Sequence, residues 1–311
     1  MQTILITGGA GAIGSSLVSE LIKQDNKVIV LDNLDSGHNH PILKHKNCTL
    51  IKGDITEEET LKEAFSHSPT IVFHLAAFFA NQRSVDHPEK DLEVNGKGTL
   101  KLLQHSSKNN VTRFIYASSS CVYGNKNEEM KEDSKEFDLE TPYAITKLLG
   151  EHYTTFFNKM YNLPTVILRY FNSYGPGDFP GQYKGVIPNF IKNALEGKPL
   201  TITGTGEETR TFTFVKDIVQ GTILASTSEK AIGNIFNIGS DKETKILELA
   251  KKIKYFTKSN SEIQFKKMRN WDSIKRRKPS IEKSQNILGY KQEYDIDKGL
   301  KLTINWLKTI I

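Results

Sequence analysis

Short apolar runs alternate with longer segments of helical periodicity over the first half of the chain. The runs predict buried strands at residues 2–7, 27–31, 48–52, 70–75 and 113–117. Between the first two runs, Ile13, Leu17 and Leu21 recur at helical spacing, and Thr56 with Glu59 predicts a capping box that opens a later helix. Strands that alternate with helices predict a parallel sheet covered on both faces, an α/β fold.

The pattern changes near Asn172. Beyond it we predict helices at residues 183–198, 216–228, 244–256 and 296–310, and strands at 200–203 and 234–238. We therefore predict a first domain of residues 1–172 and a smaller C-terminal α/β lobe of residues 173–311 that binds the substrate, with an approximate boundary. The charged residues 125–138 predict an exposed loop before a helix that begins near Pro142.

Length and charge narrow the class of protein. With 311 residues the chain can hold roughly two domains. Lys and Arg number 42 against 36 Asp and Glu, a net charge of +6, and the densest basic run is at residues 275–278. A solvated surface is the first interpretation of this excess, attraction of an anionic substrate the second, and nucleic-acid binding a weak third. No nucleic-acid partner is therefore predicted.

Cysteine usage and hydropathy indicate the compartment. Cys48 and Cys121 are the only cysteines, so the sequence predicts neither a disulfide framework nor a metal site. Met1 is followed at once by a strand-like run, and no stretch of about 18 apolar residues occurs. We expect a cytoplasmic protein without a membrane partner.

A glycine-rich loop follows the first strand. Gly8 permits a tight turn, Gly11 lets backbone amides approach a pyrophosphate, and Gly14 allows close helix packing. Asp32 ends the second strand, where a carboxylate binds the hydroxyls of an adenosine ribose and disfavours a phosphorylated ribose. These positions predict a Rossmann-type, doubly wound sheet that binds NAD rather than NADP.

Further cofactor contacts are predicted where other strands end. Asp54 can flank an adenine, and the small side chains of Ala76 and Ala77 let a cofactor lie against the backbone. Beyond the three glycines and Asp32, the predicted cofactor-binding residues are Ala12, Ile13, Asn33, Asp54, Ile55, Leu75, Ala76, Ala77, Asn95, Tyr143, Lys147 and Tyr170. His74, within the fourth strand, is interpreted as a packed core histidine rather than a ligand.

Residues 141–151 place two functional side chains on one face of a helix. Pro142 suits the first helical turn, and Tyr143 and Lys147 lie one turn apart. A phenol, with a pKa of about 10, is a poor base near neutrality unless a cation such as Lys147 favours the phenolate. Ser119 follows the fifth strand, so its hydroxyl lies at the same carboxyl edge of the sheet. Ser119, Tyr143 and Lys147 are the predicted catalytic residues.

The motifs occur in the order Gly8-x-x-Gly11-x-x-Gly14, Asp32, Asp54, Leu75-Ala-Ala77, Asn95, Ser119 and Tyr143-x-x-x-Lys147. In this combination the chain resembles the extended short-chain dehydrogenase/reductase family, specifically its nucleotide-sugar epimerases and dehydratases. The likeness extends to residues 122–124, 168–172, 174–176, 209–217 and 288–290, and so covers nearly the whole chain.

The resemblance implies roles for these residues. Tyr143 is the general base at a sugar hydroxyl, Lys147 holds the nicotinamide ribose and lowers the pKa of the tyrosine, and Ser119 shares the substrate hydroxyl. Asn172 and Arg210 hold the nucleotide diphosphate, with Arg269 as a second phosphate-binding arginine. The full predicted substrate-binding set is Arg83, Ser119, Ser120, Tyr143, Asn172, Arg210 and Arg269.

Three positions depart from the family pattern. Ala12 replaces the aromatic residue usual in the glycine loop, which should leave cofactor binding possible. Arg83 is unusual for a plain 4-epimerase, and two roles stay open for it: contact with a carboxylate or phosphate of the substrate, or a place on the surface. Thr211 stands where relatives often carry an aspartate after the phosphate-binding arginine, so we expect the local salt bridge or turn to differ.

The residues after Ser119 distinguish the reactions of this family. Sugar 4,6-dehydratases usually carry an Asp-Glu pair there, and uronic acid decarboxylases a glutamate, whereas this chain has Ser120 and Cys121. The resemblance therefore implies an NAD-dependent 4-epimerase of a UDP-hexose, which oxidises the sugar transiently to a 4-keto intermediate and returns the hydride. The alternatives are a nucleotide-sugar dehydrogenase, dehydratase or reductase, and an NAD-bound regulator that binds a sugar nucleotide without turnover.

The resemblance also bears on assembly. Relatives often dimerise through a four-helix bundle that includes the catalytic helix, and their two parts interleave along the chain. A homodimer is therefore implied.

Overall fold

The computed structural model describes residues 2–38, 40–79, 81–126, 128–269, 272 and 274–311. Its strands are β1 (Thr3–Thr7), β2 (Lys27–Asp32), β3 (Cys48–Lys52), β4 (Ile71–His74), β5 (Arg113–Ser119), β6 (Thr165–Tyr170), β7 (Ser173–Tyr174), β8 (Leu200–Thr203), β9 (Thr209–Thr211), β10 (Thr213–Phe214), β11 (Ile235–Ile238), β12 (Glu243–Lys245), β13 (Ile263–Lys266) and β14 (Arg276–Arg277). Its α-helices are α1 (Ala12–Ile22), α2 (Glu58–Ser66), α3 (Asn81–Asp86), α4 (Pro88–Asp91), α5 (Thr99–Lys108), α6 (Pro142–Tyr161), α7 (Val186–Leu195), α8 (Val215–Thr227), α9 (Ile246–Thr257), α10 (Glu282–Leu288) and α11 (Ile296–Leu307). A π-helical segment (Leu92–Gly98) runs directly into α5.

Seven parallel strands form the central sheet in the order β3-β2-β1-β4-β5-β6-β11. The strand order reverses at β1, which pairs with β2 on one side and with β4 on the other. In parallel α/β sheets such a reversal opens a crevice at the carboxyl ends of the strands, because the connections on its two sides leave in opposite directions. The predicted doubly wound α/β fold is confirmed.

Alternating side chains of the strands fill one apolar layer on each face of the central sheet. Ile4 and Ile6 of β1 pack in the layer that contains α1 and α8, whereas Leu5 packs in the layer that contains α2, α5 and α6. Because both faces are covered, the strands appear in the sequence as continuous apolar runs. No helix within the described residues has the length and apolar character needed to cross a membrane.

Three smaller sheets build a second lobe. They pair β10 with β7, β13 with β8, and both β12 and β14 with β9. Helices α7, α9 and α11 pack around an apolar cluster that contains Ile191, Leu249 and Ile304. Strand β11 comes between β10 and β12 in the chain yet lies in the central sheet, so the polypeptide returns from the second lobe to the first and then leaves it again.

The predicted capping box is wrong. Helix α2 begins at Glu58, and the side chain of the preceding Glu57 makes no capping bond. The hydroxyl of Thr56 donates instead to Asp54 Oδ1 at 2.8 Å, and the Thr56 N–H donates to the same oxygen at 2.9 Å. The Asp54 carboxylate therefore holds the turn that the sequence pattern assigned to a helix cap.

The predicted exposed loop at residues 125–138 is also wrong in part. Met130 is fully buried, and its backbone exchanges hydrogen bonds with Lys278 O at 2.8 Å and Ser280 N at 2.9 Å. Asn127 lies outside the described residues. The segment therefore supports the chain that follows β14.

The histidine of β4 is a packed core residue, as predicted. His74 is 1% exposed, with Nδ1 2.8 Å from Thr7 Oγ1 and Nε2 2.8 Å from Thr99 Oγ1. Burial lowers the pKa of His74 to about 3.

Replacing His74 by Gln is expected to make the protein less sensitive to acid. Below pH 6.5 the unfolded histidine takes up a proton that the folded one does not, so the free energy of unfolding falls as the pH falls. This residue alone contributes a loss of about 2 kcal/mol between pH 7 and pH 5. Urea unfolding at pH 7 and at pH 5 measures the fall in the free energy of unfolding. That fall should be about 2 kcal/mol smaller in His74→Gln than in the wild-type protein. An equal loss in the two proteins contradicts the prediction.

Candidate active site

A cavity of about 990 Å³ opens at the carboxyl ends of the central strands and extends into the second lobe. Every predicted site residue except Asn95 lies in its wall. The cavity thus joins the predicted cofactor residues, at the ends of β1 to β5, to the predicted phosphate-binding residues of the second lobe.

The glycine loop brings backbone rather than side chains to the cavity. Gly8 has a φ of +73°, and a Cβ on it would lie 2.6 Å from the backbone nitrogen of Ala76. A Cβ on Gly14 would collide with the carbonyl oxygen of Gly8. Helix α1 begins after Gly11, which has no side chain to cap the first N–H groups. The loop therefore offers space and backbone donors to a pyrophosphate.

Asp32 ties the end of β2 to the glycine loop. Its Oδ2 accepts the Ala10 N–H at 2.9 Å and its Oδ1 accepts the Leu34 N–H at 2.8 Å. Burial raises the pKa of this carboxyl, and the two backbone donors oppose the rise. Asp32 also lies in the cavity wall, so its remaining acceptor positions are available to ribose hydroxyls. Asn33, the residue after Asp32, donates from Nδ2 to Oδ2 of Asp54 at 3.1 Å, and Asp54 lies just after β3.

Helix α6 presents the predicted catalytic pair. It begins after Thr141, whose hydroxyl accepts a helix N–H. Tyr143 is 6% exposed, and the nearby Ser119 side chain opposes the rise in the pKa of its phenol. Lys147 is 3% exposed, its Nζ donates to Ala117 O at 2.8 Å, and the same Nζ lies 5.7 Å from the centre of the Tyr143 ring. The structure therefore brings the three predicted catalytic residues together.

Burial governs the protonation of Tyr143 and Lys147. It raises the pKa of the Tyr143 phenol, and the neighbouring Cys121 and Asp91 add to the rise. Burial also lowers the pKa of Lys147 to about 8, against the opposing effect of Asp91 and Glu151. The sequence predicts that Lys147 lowers the pKa of Tyr143. The net shift of that pKa is upward instead, because desolvation of the phenolate outweighs the effect of the cation. Protein groups alone thus keep the phenol protonated at neutral pH.

Asn95 lies outside the cavity wall and acts on the backbone. It is 1% exposed, its Oδ1 accepts the Phe78 N–H at 2.8 Å, and its Nδ2 donates to Asp91 at 2.8 Å. Asp91 also accepts the Thr146 hydroxyl at 2.6 Å. Asn95 and Asp91 together therefore join the segment after β4 to α6, next to Lys147. Sequence reasoning missed Asp91, although its spacing of four residues from Asn95 is the signal that identifies it.

Arg83 lies in the cavity wall and has a carboxylate partner. Its Nη1 is 2.7 Å from Asp35 Oδ2, and its guanidinium lies 4.0 Å from the centre of the Phe78 ring. The Tyr183 ring of the second lobe lies 5.9 Å away, and the Tyr183 hydroxyl donates to Asp86 at 3.3 Å. These contacts bridge three separate segments around the cavity.

Two arginines lie side by side where β9 pairs with β14. Arg277 is in register with Arg210, which donates to the Thr209 and Ile274 carbonyls at 2.9 Å each and lies 3.9 Å from Asp272. Burial lowers the pKa of Arg210 to about 10, and the charge of Arg277 adds to the lowering. Like charges held together in a cavity wall indicate an anionic ligand.

Sequence reasoning missed Arg277, which belongs to the basic run interpreted first as a solvated surface. Among the other substrate candidates, Asn172 donates to Thr211 O at 2.8 Å, and Arg269 lies in the cavity wall. The Thr211 hydroxyl is buried without a hydrogen-bond partner in the described part of the chain. At the expected departure from the family pattern, Thr211 is therefore held through its backbone carbonyl, by the Asn172 side chain, rather than through its own side chain.

The doubly wound sheet, the glycine cradle and the Ser-Tyr-Lys group define a short-chain dehydrogenase/reductase type of protein. Residues 4–239 match the NAD dependent epimerase/dehydratase family. A curated relative, the UDP-N-acetyl-alpha-D-glucosaminuronate decarboxylase of Bacillus cytotoxicus, is 37% identical and aligns over 98% of both chains. The chain therefore belongs to the NAD-dependent epimerase/dehydratase family.

Solved structures of similar proteins share this fold over nearly the whole chain. Epimerase Mth375 of Methanothermobacter thermautotrophicus is 44% identical with a TM-score of 0.97, covering 99% of this chain and 92% of its own. The UDP-glucose 4-epimerase of Thermotoga maritima, solved with UDP-glucose, is 34% identical with a TM-score of 0.94 and 99% coverage of both chains. The UDP-glucuronic acid 4-epimerase of Bacillus cereus, solved with UDP-glucuronic acid and NAD, is 30% identical with a TM-score of 0.92, covering 99% of this chain and 100% of its own.

NAD is the cofactor of this family, and the cavity of this chain fits it. The backbone packs so closely at Gly8 and Gly14 that only glycine fits, and this tight turn brings the loop and the start of α1 to the cavity wall, where backbone N–H groups suit a pyrophosphate. Asp32 in the wall suits a ribose with free hydroxyls rather than a phosphorylated one.

Replacing Arg83 by Gln is expected to speed the release of NADH several-fold. The Asp35 pair connects the segment after β2 to α3, so its loss frees one side of the cofactor cleft. A half-exposed ion pair stabilises a fold by only about 0–1 kcal/mol, so the free energy of unfolding should hardly change. Fluorescence after mixing the NADH-loaded protein with excess NAD measures the release rate.

Asp35→Asn should give the same release rate, and the double variant no further increase, because both changes remove one interaction. Lys62→Gln, which removes the exposed pair with Glu59 on α2, is the matched control. Wild-type release by both Arg83→Gln and Asp35→Asn contradicts the prediction.

Proposed function

We propose that this protein epimerises a nucleotide sugar at C4, with a UDP-hexose as the substrate. The observation that carries the proposal is the group of Ser119, Tyr143 and Lys147 at the cofactor cradle, followed by Ser120 and Cys121 in place of carboxylates. A hydroxyl and a phenol suffice to move one proton on and off a sugar oxygen. Loss of water or CO₂ also requires an acid or base that serves carbon. The Thermotoga and Bacillus cereus relatives are named as 4-epimerases.

Cofactor binding is assigned to the residues around the reversal of strand order. Gly8, Gly11 and Gly14 hold the pyrophosphate, Asp32 holds the adenosine ribose, and Lys147 holds the nicotinamide ribose. Bound NAD supplies a hydride acceptor and donor for the sugar carbon. Further cofactor contacts come from Ala12, Ile13, Asn33, Asp54, Ile55, Leu75, Ala76, Ala77 and Tyr170, which lie in the cavity wall. Asn95 supports the cleft through the Phe78 backbone.

Proton transfer is assigned to Tyr143 and Ser119. Both side chains lie in the cavity wall, and Ser119 is close enough to affect the pKa of Tyr143, so one sugar hydroxyl can contact the pair. Tyr143 takes the proton of that hydroxyl as the carbon is oxidised and returns it when the carbon is reduced. Tyr143 can take this proton only as the phenolate, which burial disfavours. The positive charge of oxidised NAD would favour the phenolate together with that of Lys147, which is lost above the lysine's pKa of about 8.

Substrate binding is assigned to the second lobe and the end of β5. Arg210, Asn172 and Arg269 hold the diphosphate, and a planar guanidinium suits phosphate because its donors are fixed in a fork. Ser120, in the wall beside Ser119, completes the sugar contacts. Arg83 reaches the substrate by exchanging its Asp35 partner for a substrate anion.

A homodimer in the cytoplasm is also proposed. The free thiols of Cys48 and Cys121 fit a reducing compartment. Helix α6 exposes large apolar side chains, between 48% and 65% exposed, at Ile145, Phe156, Met160 and Tyr161. An apolar stripe of this kind on a long helix suits a bundle with a second copy.

Light scattering is expected to give twice the chain mass of 35.1 kDa for the wild-type protein. Phe156→Glu with Met160→Glu should give the monomer mass, because two charges cannot be buried in an apolar interface. Tyr255→Glu changes an aromatic residue on α9 that is 78% exposed and should leave the dimer intact. A monomeric wild-type protein contradicts the proposal.

The catalytic proposal is tested by incubating the purified protein with UDP-, GDP-, CDP- and dTDP-sugars without added cofactor. Mass spectrometry and proton NMR should find a product of unchanged mass with an inverted carbinol at C4. Loss of water, loss of CO₂ or a change of two hydrogens identifies a dehydratase, a decarboxylase or a net oxidoreductase, and each contradicts epimerisation.

Tyr143→Phe is the matched control for this assay. It should retain bound NAD but lose more than about a hundredfold in rate, the low end for a general base. A variant that turns over normally contradicts the assigned mechanism. No turnover by the wild-type protein on any sugar favours the regulator alternative.

A further inference from the structure

The basic run at residues 275–278 divides between two environments. Arg276 Nη2 lies 2.7 Å from Glu243 Oε2, and Lys278 Nζ lies 2.9 Å from Glu129 Oε1. Arg277, between them on β14, lies in the cavity wall instead. This alternation is what a strand imposes, because successive side chains point to opposite faces.

Arg277 is a buried cation with no matching anion among the residues that the structure describes. It is 6% exposed, and no carboxylate of the described residues lies within ion-pair distance of it. Within the same residues its Nε has no hydrogen-bond partner, and its Nη1 contacts Cys121 Sγ at 3.6 Å. A guanidinium removed from water is costly unless an anion pairs with it. The missing partner is therefore expected to arrive with a ligand.

The position of Arg277 indicates which part of the ligand it meets. Cys121, which it contacts, donates its N–H to Ser119 Oγ at 3.2 Å, and Ser119 lies in the cavity wall together with Tyr143. Arg277 thus reaches the reacting end of the cavity. Its strand neighbour Arg210, with Asp272 3.9 Å away, is the arginine assigned to the diphosphate.

The backbone holds this side chain in place from both sides. Arg277 pairs with Arg210 across the parallel β14–β9 contact. The next residue, Lys278, accepts the Met130 N–H at 2.8 Å, and Ser280 donates to Met130 O at 2.9 Å. The backbone that carries Arg277 is therefore fixed at the cavity wall rather than placed on a flexible surface strand.

We propose that Arg277 binds a carboxylate carried by the hexose of the nucleotide sugar and so determines which hexose is accepted. This inference rests on the proposed function and specifies its substrate class. A fork of guanidinium donors matches a carboxylate at two points, and the water-poor site strengthens the pair. Two sources supply such a group beside C4: the C6 carboxylate of a uronic acid, and the carboxylate of a lactyl ether at C3.

Titration calorimetry on the NAD-loaded protein tests the proposal. The probes are UDP, two neutral sugars (UDP-glucose and UDP-N-acetylglucosamine) and their carboxylate counterparts (UDP-glucuronic acid and UDP-N-acetylmuramic acid). At least one carboxylate probe should bind roughly tenfold or more tightly than its neutral counterpart, and which one does so identifies the source. Arg277→Gln should remove this preference and leave the affinities for UDP and the neutral sugars nearly unchanged.

Two further variants make the result specific. Arg277→Lys should keep part of the preference, because it retains the charge but not the fork. Arg276→Gln, which removes the neighbouring cation that pairs with Glu243, should keep all of it.

Equal affinity of the wild-type protein for neutral and carboxylate sugars overturns the inference and leaves the proposed epimerase standing. Equal weakening of UDP and of every sugar by Arg277→Gln also overturns it, since Arg277 then serves the diphosphate. Failure of the proposed function has a different signature: a carboxylate sugar binds with the Arg277-dependent preference but is not epimerised.

Discussion

The site depends on how α6 is fixed against the central sheet. Glu151 of α6 and Arg169 of β6 form a two-point ion pair at 2.9 and 2.7 Å, and Ser118 of β5 donates to the same carboxylate at 2.5 Å. Both charges are almost fully buried, and a carboxylate that lost its arginine there would cost roughly 3–5 kcal/mol. Helix α6 therefore has one favourable position, which places Lys147 one turn and Tyr143 two turns before Glu151, at the end of β5.

Burial also makes the positive charges in the cavity wall costly. The pKa of Lys147 is lowered to about 8 and that of Arg210 to about 10, and Arg277 lies between Arg210 and Cys121 without an acid of its own. Each of these cations is stabilised by an arriving anion. A negatively charged substrate therefore relieves an electrostatic cost that the folded protein already carries.

Local patterns were enough to predict the cofactor side of the site. Gly8, Gly14 and Asp32 act through turns and strand ends that their own neighbours form, so the sequence shows them directly. The Asp35 partner of Arg83 and the cavity position of Arg277 depend on segments far apart in the chain, and no local pattern reports such contacts. The capping box at Thr56 failed for a related reason, because Asp54 competes for the same hydroxyl.

The proposed reaction oxidises one sugar carbon and reduces it again inside this cavity. The most direct measurement uses a UDP-hexose deuterated at C4 and follows the label by NMR and mass spectrometry. The epimerised product is expected to keep the deuterium at C4 with the configuration inverted, because the hydride is returned before it can leave. Product that has exchanged the label with solvent, or that carries it at another carbon, contradicts the account.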